Sequence, residues 1–268
     1  MNFQNWRSPK LALALIFFLL LVFLLLGCTS NMETIASSSE AKLAQKKPRQ
    51  QPSQRSKRKP IEFVLPNEGA PGKQKGAETR DSCPNDKNKP PLTALIPGKN
   101  MGLTIGERPT FWFYVPYQAS SKTPVEFILT DAQEKEIYKQ NLQLTNTPGI
   151  IGVTLPKNAP ALEVDKTYEW SLSVNCASRI DAVSGRIKRV KASAEVANLL
   201  QANTGRDRII SYAENGYWYD TLTGLIELRR QNPQDEGLKA DWEDLLKPPE
   251  VGLASIATEP IVSCCKSK

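Results

Sequence analysis

The stretch Thr110-Phe111-Trp112-Phe113-Tyr114-Val115 decides the fold. Successive side chains of a strand point to opposite faces, so Phe111 and Phe113 share one face while Trp112 and Tyr114 share the other. A strand solvated on one side alternates apolar with polar residues. Aromatic residues crowding both faces predict a strand covered on both sides.

Outward from this strand, short runs are cut by turn residues. Leu92 to Pro97, Val125 to Thr130, Glu136 to Leu144, Ile150 to Leu155, Thr167 to Cys176 and Gly185 to Val190 read as further strands. In the run from Thr167, the residues Tyr168, Trp170, Leu172 and Val174 fall on one face at period two. Asp131-Ala132-Gln133-Glu134-Lys135 and Thr147-Pro148-Gly149 supply turns. Seven short strands within about 100 residues predict an antiparallel sandwich. Leu162 stands six residues before Tyr168, as at the tyrosine corner of immunoglobulin-like folds, although Trp170 takes the place where such domains carry a cysteine. The expected fold class is therefore mainly β with an α-helical C-terminal part: an antiparallel immunoglobulin-like sandwich plus a helical hairpin.

The period changes after the strands. From Ile209 to Arg230, Tyr212, Ala213, Gly216, Tyr219, Leu222, Leu225, Ile226 and Leu228-Arg229 recur close to every third or fourth residue, and Asn232-Pro233 marks a stop. A second helix is expected from about Gln234 to Lys247, carrying Leu238, Trp242, Leu245 and Leu246 and ended by Pro248-Pro249. Gly216, Tyr219, Asp220 and Pro233 resemble one hairpin of the tetratricopeptide type. A lone hairpin cannot bury both of its faces, so it is expected to pack on the sandwich, with a peptide groove as the alternative.

The first residues are for targeting. Arg7 and Lys10 precede an unbroken apolar run from Leu11 to Leu26, which stops at Leu25-Leu26-Gly27-Cys28. This resembles the lipobox of bacterial lipoprotein precursors, whose cysteine is lipidated and becomes the first residue after cleavage. At 1.5 Å per residue the run spans roughly 24 Å, short of the ~30 Å that a membrane helix covers. Cys28 is thus the expected lipidation site, and with Thr29 rather than Asp behind it the expected address is the outer membrane, facing the periplasm or cell surface.

The formal net charge of +7 is unevenly spread. Eight basic residues and no acid lie between Lys42 and Lys59, whereas Ile61 to Lys268 holds 25 basic against 26 acidic residues. The basic character belongs to a polar, aromatic-free tether, and a nearly neutral folded part argues against nucleic acid as a partner. Lys46, Lys47, Arg49, Arg55, Lys57, Arg58 and Lys59 are the candidates for contact with an anionic lipid or wall surface; the alternative is a solvated spacer. The expected plan is a signal peptide over 1–27, a lipidated, disordered tether over 28–60 and a Gly/Pro-rich loop over 61–91. A sandwich over 92–195 and a helical hairpin with a Cys-Cys tail over 196–268 complete it.

Leu92-Thr-Ala-Leu-Ile-Pro97, Gly102-Leu-Thr104, Glu107-Arg-Pro-Thr-Phe-Trp-Phe-Tyr-Val-Pro-Tyr117, Thr147-Pro-Gly149 and Trp218-Tyr-Asp220 together resemble a cyanobacterial family of exported proteins, catalogued only as a domain of unknown function. The resemblance runs from about Gly69 to the terminal Cys264-Cys265. It implies export and cyanobacterial origin, and no activity.

The chain contains no histidine, which excludes a Ser-His-Asp triad, a Cys-His pair and every His-ligated zinc site. No cofactor fingerprint is present, and no cofactor or metal is expected. Paired carboxylates remain open to a glycosidase, with Glu107, Glu126, Asp131 and Glu169 in or near strands. Of the aromatics that could stack on sugar rings, Trp112 and Trp170 are read as core; Tyr117, just beyond Pro116, is the candidate for an exposed ring. In an oxidising compartment Cys83, Cys176, Cys264 and Cys265 are read as two disulfides. Joining the neighbours Cys264 and Cys265 would close a strained ring, so Cys83 and Cys176 are each expected to bond one of that pair. The functional expectation is a non-catalytic envelope lipoprotein that binds another envelope protein or a wall polymer. Its rivals are a hydrolase using two acids and a structural spacer.

Overall fold

A computed structural model of the chain describes residues 58–67, 69–70, 72–76, 83, 88–120, 123–176 and 179–267. The apolar run, Cys28 and the tether residues Lys46, Lys47, Arg49, Arg55 and Lys57 lie outside the described residues. Eight strands come first: β1 (Thr93–Ala94), β2 (Gly102–Thr104), β3 (Thr110–Val115), β4 (Pro124–Asp131), β5 (Glu136–Gln143), β6 (Gly149–Thr154), β7 (Thr167–Cys176) and β8 (Arg179–Arg189). Four helices follow, α1 (Ala194–Ala202), α2 (Gly205–Glu214), α3 (Trp218–Gln231) and α4 (Glu236–Leu246). A 3₁₀ turn, Ala254–Ile256, and a short strand β9 (Lys266–Ser267) complete the order. One sheet runs β1-β3-β6 and the other β2-β8-β7-β4-β5-β9. Every pairing is antiparallel except β2 with β8. The chain is mainly β with C-terminal helices.

The alternating aromatics of β3 show why the domain is built this way. Phe111 packs against Phe127 of β4 with centroids 4.9 Å apart, and Phe113 meets Trp170 of β7 edge-on at 5.4 Å. These rings fill the space between the two sheets. On the opposite face, Trp112 donates its indole N–H to the Thr223 hydroxyl of α3 at 3.0 Å. Trp218 of α3 donates back to the Leu95 carbonyl at 2.8 Å. The small sheet thus has the large sheet on one side and the helices on the other. Each buried aromatic adds roughly 1.5–3 kcal/mol of transfer free energy. Gly152 on β6 is required by this packing, because a Cβ there would come within 2.8 Å of the Trp112 ring.

Two polar contacts fix the sheets in place. Tyr168 accepts from the Glu163 backbone N–H at 2.9 Å, fixing the turn before β7. Tyr219 of α3 lies against Phe111 and accepts from the Trp170 indole N–H at 2.9 Å, so the helical layer plugs the gap between the sheets.

The helical part differs from the expected hairpin. The periodic run from Ile209 is broken at Asn215-Gly216-Tyr217, where Gly216 adopts φ +73°, a conformation that glycine reaches without the Cβ penalty. The apolar spacing continues across the break, which is why one helix was expected where α2 and α3 stand. Ahead of them α1 begins at its N-cap Ser193, whose hydroxyl accepts from Val196 N–H at 3.3 Å. Asp235 caps α4 by accepting from Gly237 and Leu238 N–H. At the sheet edges, β2 and β9 were too short to register as patterns, and β8 begins at Arg179 because its hairpin with β7 continues to Cys176.

The disulfides are also a correction. Cys83 bonds Cys176, with Cα atoms 5.6 Å apart, and Cys264 bonds Cys265. The expected cross-pairing fails because β9 brings the tail to the far edge of β5, with β4 and β5 between it and β7. At ~4.8 Å per strand the tail stands roughly 14 Å from Cys176, well beyond the reach of a disulfide.

Candidate functional site

The C-terminal end of α3, the N-terminal part of α4 and the chain after the 3₁₀ turn enclose a cleft of about 520 Å³. Its far wall is held by the small sheet: Ile150 N–H donates to the Pro260 carbonyl at 2.7 Å, and Val262 N–H donates to the Ile150 carbonyl at 3.0 Å. Ala257, Pro260 and Ile261 therefore face the helices across a fixed gap.

Three cations line the cleft, Arg229, Arg230 and Lys239. Two arginines in the last turn of a helix complement its dipole, which is the ordinary reason for such residues there. Here each is also spread over a tryptophan. Arg229 lies 4.9 Å from the Trp242 ring centroid and Arg230 lies 5.1 Å from that of Trp112. Arg230 donates to the Val262 carbonyl at 3.1 Å. The buried Nη1 of Arg229 has no hydrogen-bond partner among the described residues. Burial lowers the guanidinium's pKa from its ordinary value, and Glu243 opposes that shift. Arg229 still carries its charge at any physiological pH.

Three acids line the same cleft, Asp235, Glu243 and Glu259. Asp235 caps α4, Glu243 pairs with Lys247 at 2.7 Å, and Glu259, only 9% exposed, pairs with Lys89 at 3.1 Å. All three are engaged in holding the walls in place. An ionised carboxylate has about four lone-pair sites, so Asp235 and Glu259 can also accept from a ligand hydroxyl. The arrangement can offer the Arg229 guanidinium to an anion that also carries hydroxyl donors for these acids.

Another acid, Asp220, sits in the first turn of α3, its residue partly exposed but its carboxyl packed against the loop after β2. It accepts from the Ile105 backbone N–H at 3.2 Å, joining the helix to the loop after β2. Burial pushes its pKa up to about 6, against smaller opposing hydrogen bonds from Thr104 and Ile105.

Residues singled out from sequence are placed elsewhere. Tyr117, expected as an exposed ring, is 6% exposed and donates its hydroxyl to the buried Asp181 of β8. Burial, followed by the Asp181 contact, raises its pKa strongly. The turn after β3 folds the ring inward because only there does its hydroxyl meet an acceptor. Trp112 and Trp170 are core residues, 4% and 3% exposed. Arg58 and Lys59, assigned to the tether, instead pair with the fully buried Asp241 and with Glu214. Asp241 also takes Arg206, so these contacts fasten the start of the described chain to α2 and α4.

The strand acids each have a partner of their own. Glu107 pairs with Arg189 and Arg108, Glu126 with Lys139, and Glu169 with Arg186. Asp131 accepts from Gln133 and Lys135 N–H within its own turn.

Sequence reasoning passed over Arg229, Arg230 and Glu259. The available signal was adjacent arginines before Asn232-Pro233 with a tryptophan ahead, which reads as a dipole complement until the tail is seen to form the opposite wall.

No curated protein matches the chain. A family model does match, over residues 75–261, a range that takes in both sheets except β9, all four helices and most of the cleft. The chain belongs to the family described as Domain of Unknown Function (DUF928).

Proposed function

We propose that this protein is a non-catalytic lipoprotein of the cell envelope that binds another envelope component through the α3–α4 cleft. Cys28 is the proposed lipid attachment site and the outer membrane the proposed address, with the chain after Cys28 serving as a tether. Lys46, Lys47, Arg49, Arg55 and Lys57 are the proposed contacts with an anionic surface. The observation that carries the binding reading is the half-buried Arg229 guanidinium lining the cleft, whose Nη1 has no hydrogen-bond partner among the described residues. A buried donor without a partner costs about 1–3 kcal/mol, and a ligand acceptor that draws the guanidinium toward the cleft recovers that free energy. The cleft acids support a binding role over the hydrolase alternative, because each is tied to a cap or a lysine.

The domain itself is proposed as an immunoglobulin-like sandwich. The strand order β1-β3-β6 against β2-β8-β7-β4-β5 supports that topology, as does the Tyr168 contact before β7.

The test is a pull-down of the lipidated protein from native envelope, followed by mass spectrometry and sugar analysis. A specific envelope component above a control carrying only the anchor and tether is the expected result. Recovery no greater than that control defeats the binding reading.

A further inference from the structure

Resting on the binding reading above, we propose that the cleft is a site for an acidic sugar, with the sugar carboxylate on Arg229 and its hydroxyls on the surrounding side chains. The charge of the pocket argues for a monoanion. Arg229, Arg230 and Lys239 are balanced by Asp235, Glu243 and Glu259, so a phosphate dianion would meet repulsion that a single carboxylate largely avoids. Guanidinium geometry points the same way. Arg229 lies over the Trp242 ring, and a planar fork matches a planar carboxylate better than a point charge does.

The remaining lining argues for a polyol body. Asp235 and Glu259 bring carboxylate acceptors, Asn232 donates its amide N–H to Leu228 and leaves its carbonyl oxygen, and Thr258 is exposed at the rim. A set dominated by acceptors suits the hydroxyls of a sugar. An acidic peptide would bring one backbone carbonyl for every N–H, and those carbonyls would face the acceptors of this lining. Neutral sugars usually depend on stacking against a bare aromatic face, and none is offered here. Trp242 is fully buried, Trp112 is 4% exposed, and each has a guanidinium over its ring. Charge on the sugar therefore decides binding, and Pro233, Pro260 and Ile261 supply the apolar wall for its ring carbons.

The test uses the full lipidated chain in detergent, titrated calorimetrically with three probes: an oligogalacturonate, a neutral oligoglucan of equal length and oligoglutamate. The oligogalacturonate is expected to bind, the neutral oligomer to show no heat above dilution, and oligoglutamate to bind more weakly. Arg229→Gln lowers the oligogalacturonate affinity about thirtyfold or more, the loss typical of a truncated buried charge partner. Because Arg229 also packs on Trp242, Thr258→Trp provides a second variant. It fills the mouth of the cleft from an exposed position and is expected to abolish binding while leaving the melting temperature unchanged. Equal binding of the neutral oligomer, tighter binding of oligoglutamate, unaltered binding in Thr258→Trp, or no binding of oligogalacturonate would each overturn the assignment. If oligogalacturonate fails while the envelope pull-down still recovers a component, the sugar assignment falls and the binding reading stands.

Discussion

Trp170 and Trp242 are both buried, 3% and 0% exposed, yet they serve two differently built regions. Trp170 sits between the sheets among Phe111 and Phe113, and its N–H finds Tyr219. Its surroundings are rings and aliphatic groups with every nearby donor met. Trp242 sends its N–H to the Ala257 carbonyl but carries Arg229 on its face, and that arginine keeps an N–H open. A satisfied core contributes stability and uniqueness. An almost satisfied one, with a single donor withheld, contributes a place for something else to bind. The difference can be broken or sharpened by substitutions on either side.

A large effect is expected between the two sheets. Phe113→Ala removes a fully buried ring that touches both Phe127 and Trp170. Chemical denaturation should register a loss of about 3–5 kcal/mol. A loss below about 1 kcal/mol would mean that the space between the sheets is not packed as described.

Next come the two disulfides, which sit on either side of the same comparison. Cys83 and Cys176 are 93 residues apart, so replacing both with Ser releases a long loop in the unfolded chain. The chain-entropy relation puts the destabilisation at about 4–5 kcal/mol, less any relaxation. Replacing Cys264 and Cys265 releases no loop, since they are neighbours. Melting of that variant should stay within about 0.5 kcal/mol of wild type, as for ordinary surface changes. Peptide mapping under non-reducing conditions checks the connectivity: a fragment joining Cys83 or Cys176 to the tail cysteines would contradict it.

A smaller, pH-dependent effect is expected at Asp220. Its pKa is raised from 3.8 to about 6 by burial, so the folded state binds the proton more tightly than the unfolded chain. The favourable contribution is therefore complete below about pH 3.8 and is lost as pH rises through about 6. Stability of Asp220→Asn relative to wild type should improve between about pH 4 and 7, by up to about 3 kcal/mol for a shift of two units. A pH-independent difference would show that the carboxyl is not buried in the folded chain.

The contrast also explains what was legible in the sequence. β3 could be read because aromatics on both faces admit few structures, and β7 because Tyr168, Trp170, Leu172 and Val174 keep strict alternation. Those signals are local. The split between α2 and α3 was hidden because the apolar period runs through Gly216, whose positive φ leaves no trace in the spacing. The cleft was hidden for a different reason. Arg229, Trp242 and Glu259 come from three separate segments and meet only because the tail is hydrogen-bonded to β6. Tyr117 was misplaced since an aromatic after Pro116 looks like a loop residue until Asp181, 64 positions on, supplies its acceptor.

The most direct measurement places a compact aliphatic diazirine residue, too small to fill the cleft, at one of two exposed sites in the full chain made in its native cells, and irradiates those cells. Thr258 lies on the rim of the cleft, whereas Ile180, 64% exposed, lies at the start of β8 in the larger sheet. A defined envelope adduct from position 258, suppressed by Arg229→Gln and absent from position 180, is the expected result. The same adduct from both positions, or none from position 258, would contradict a binding role for the cleft.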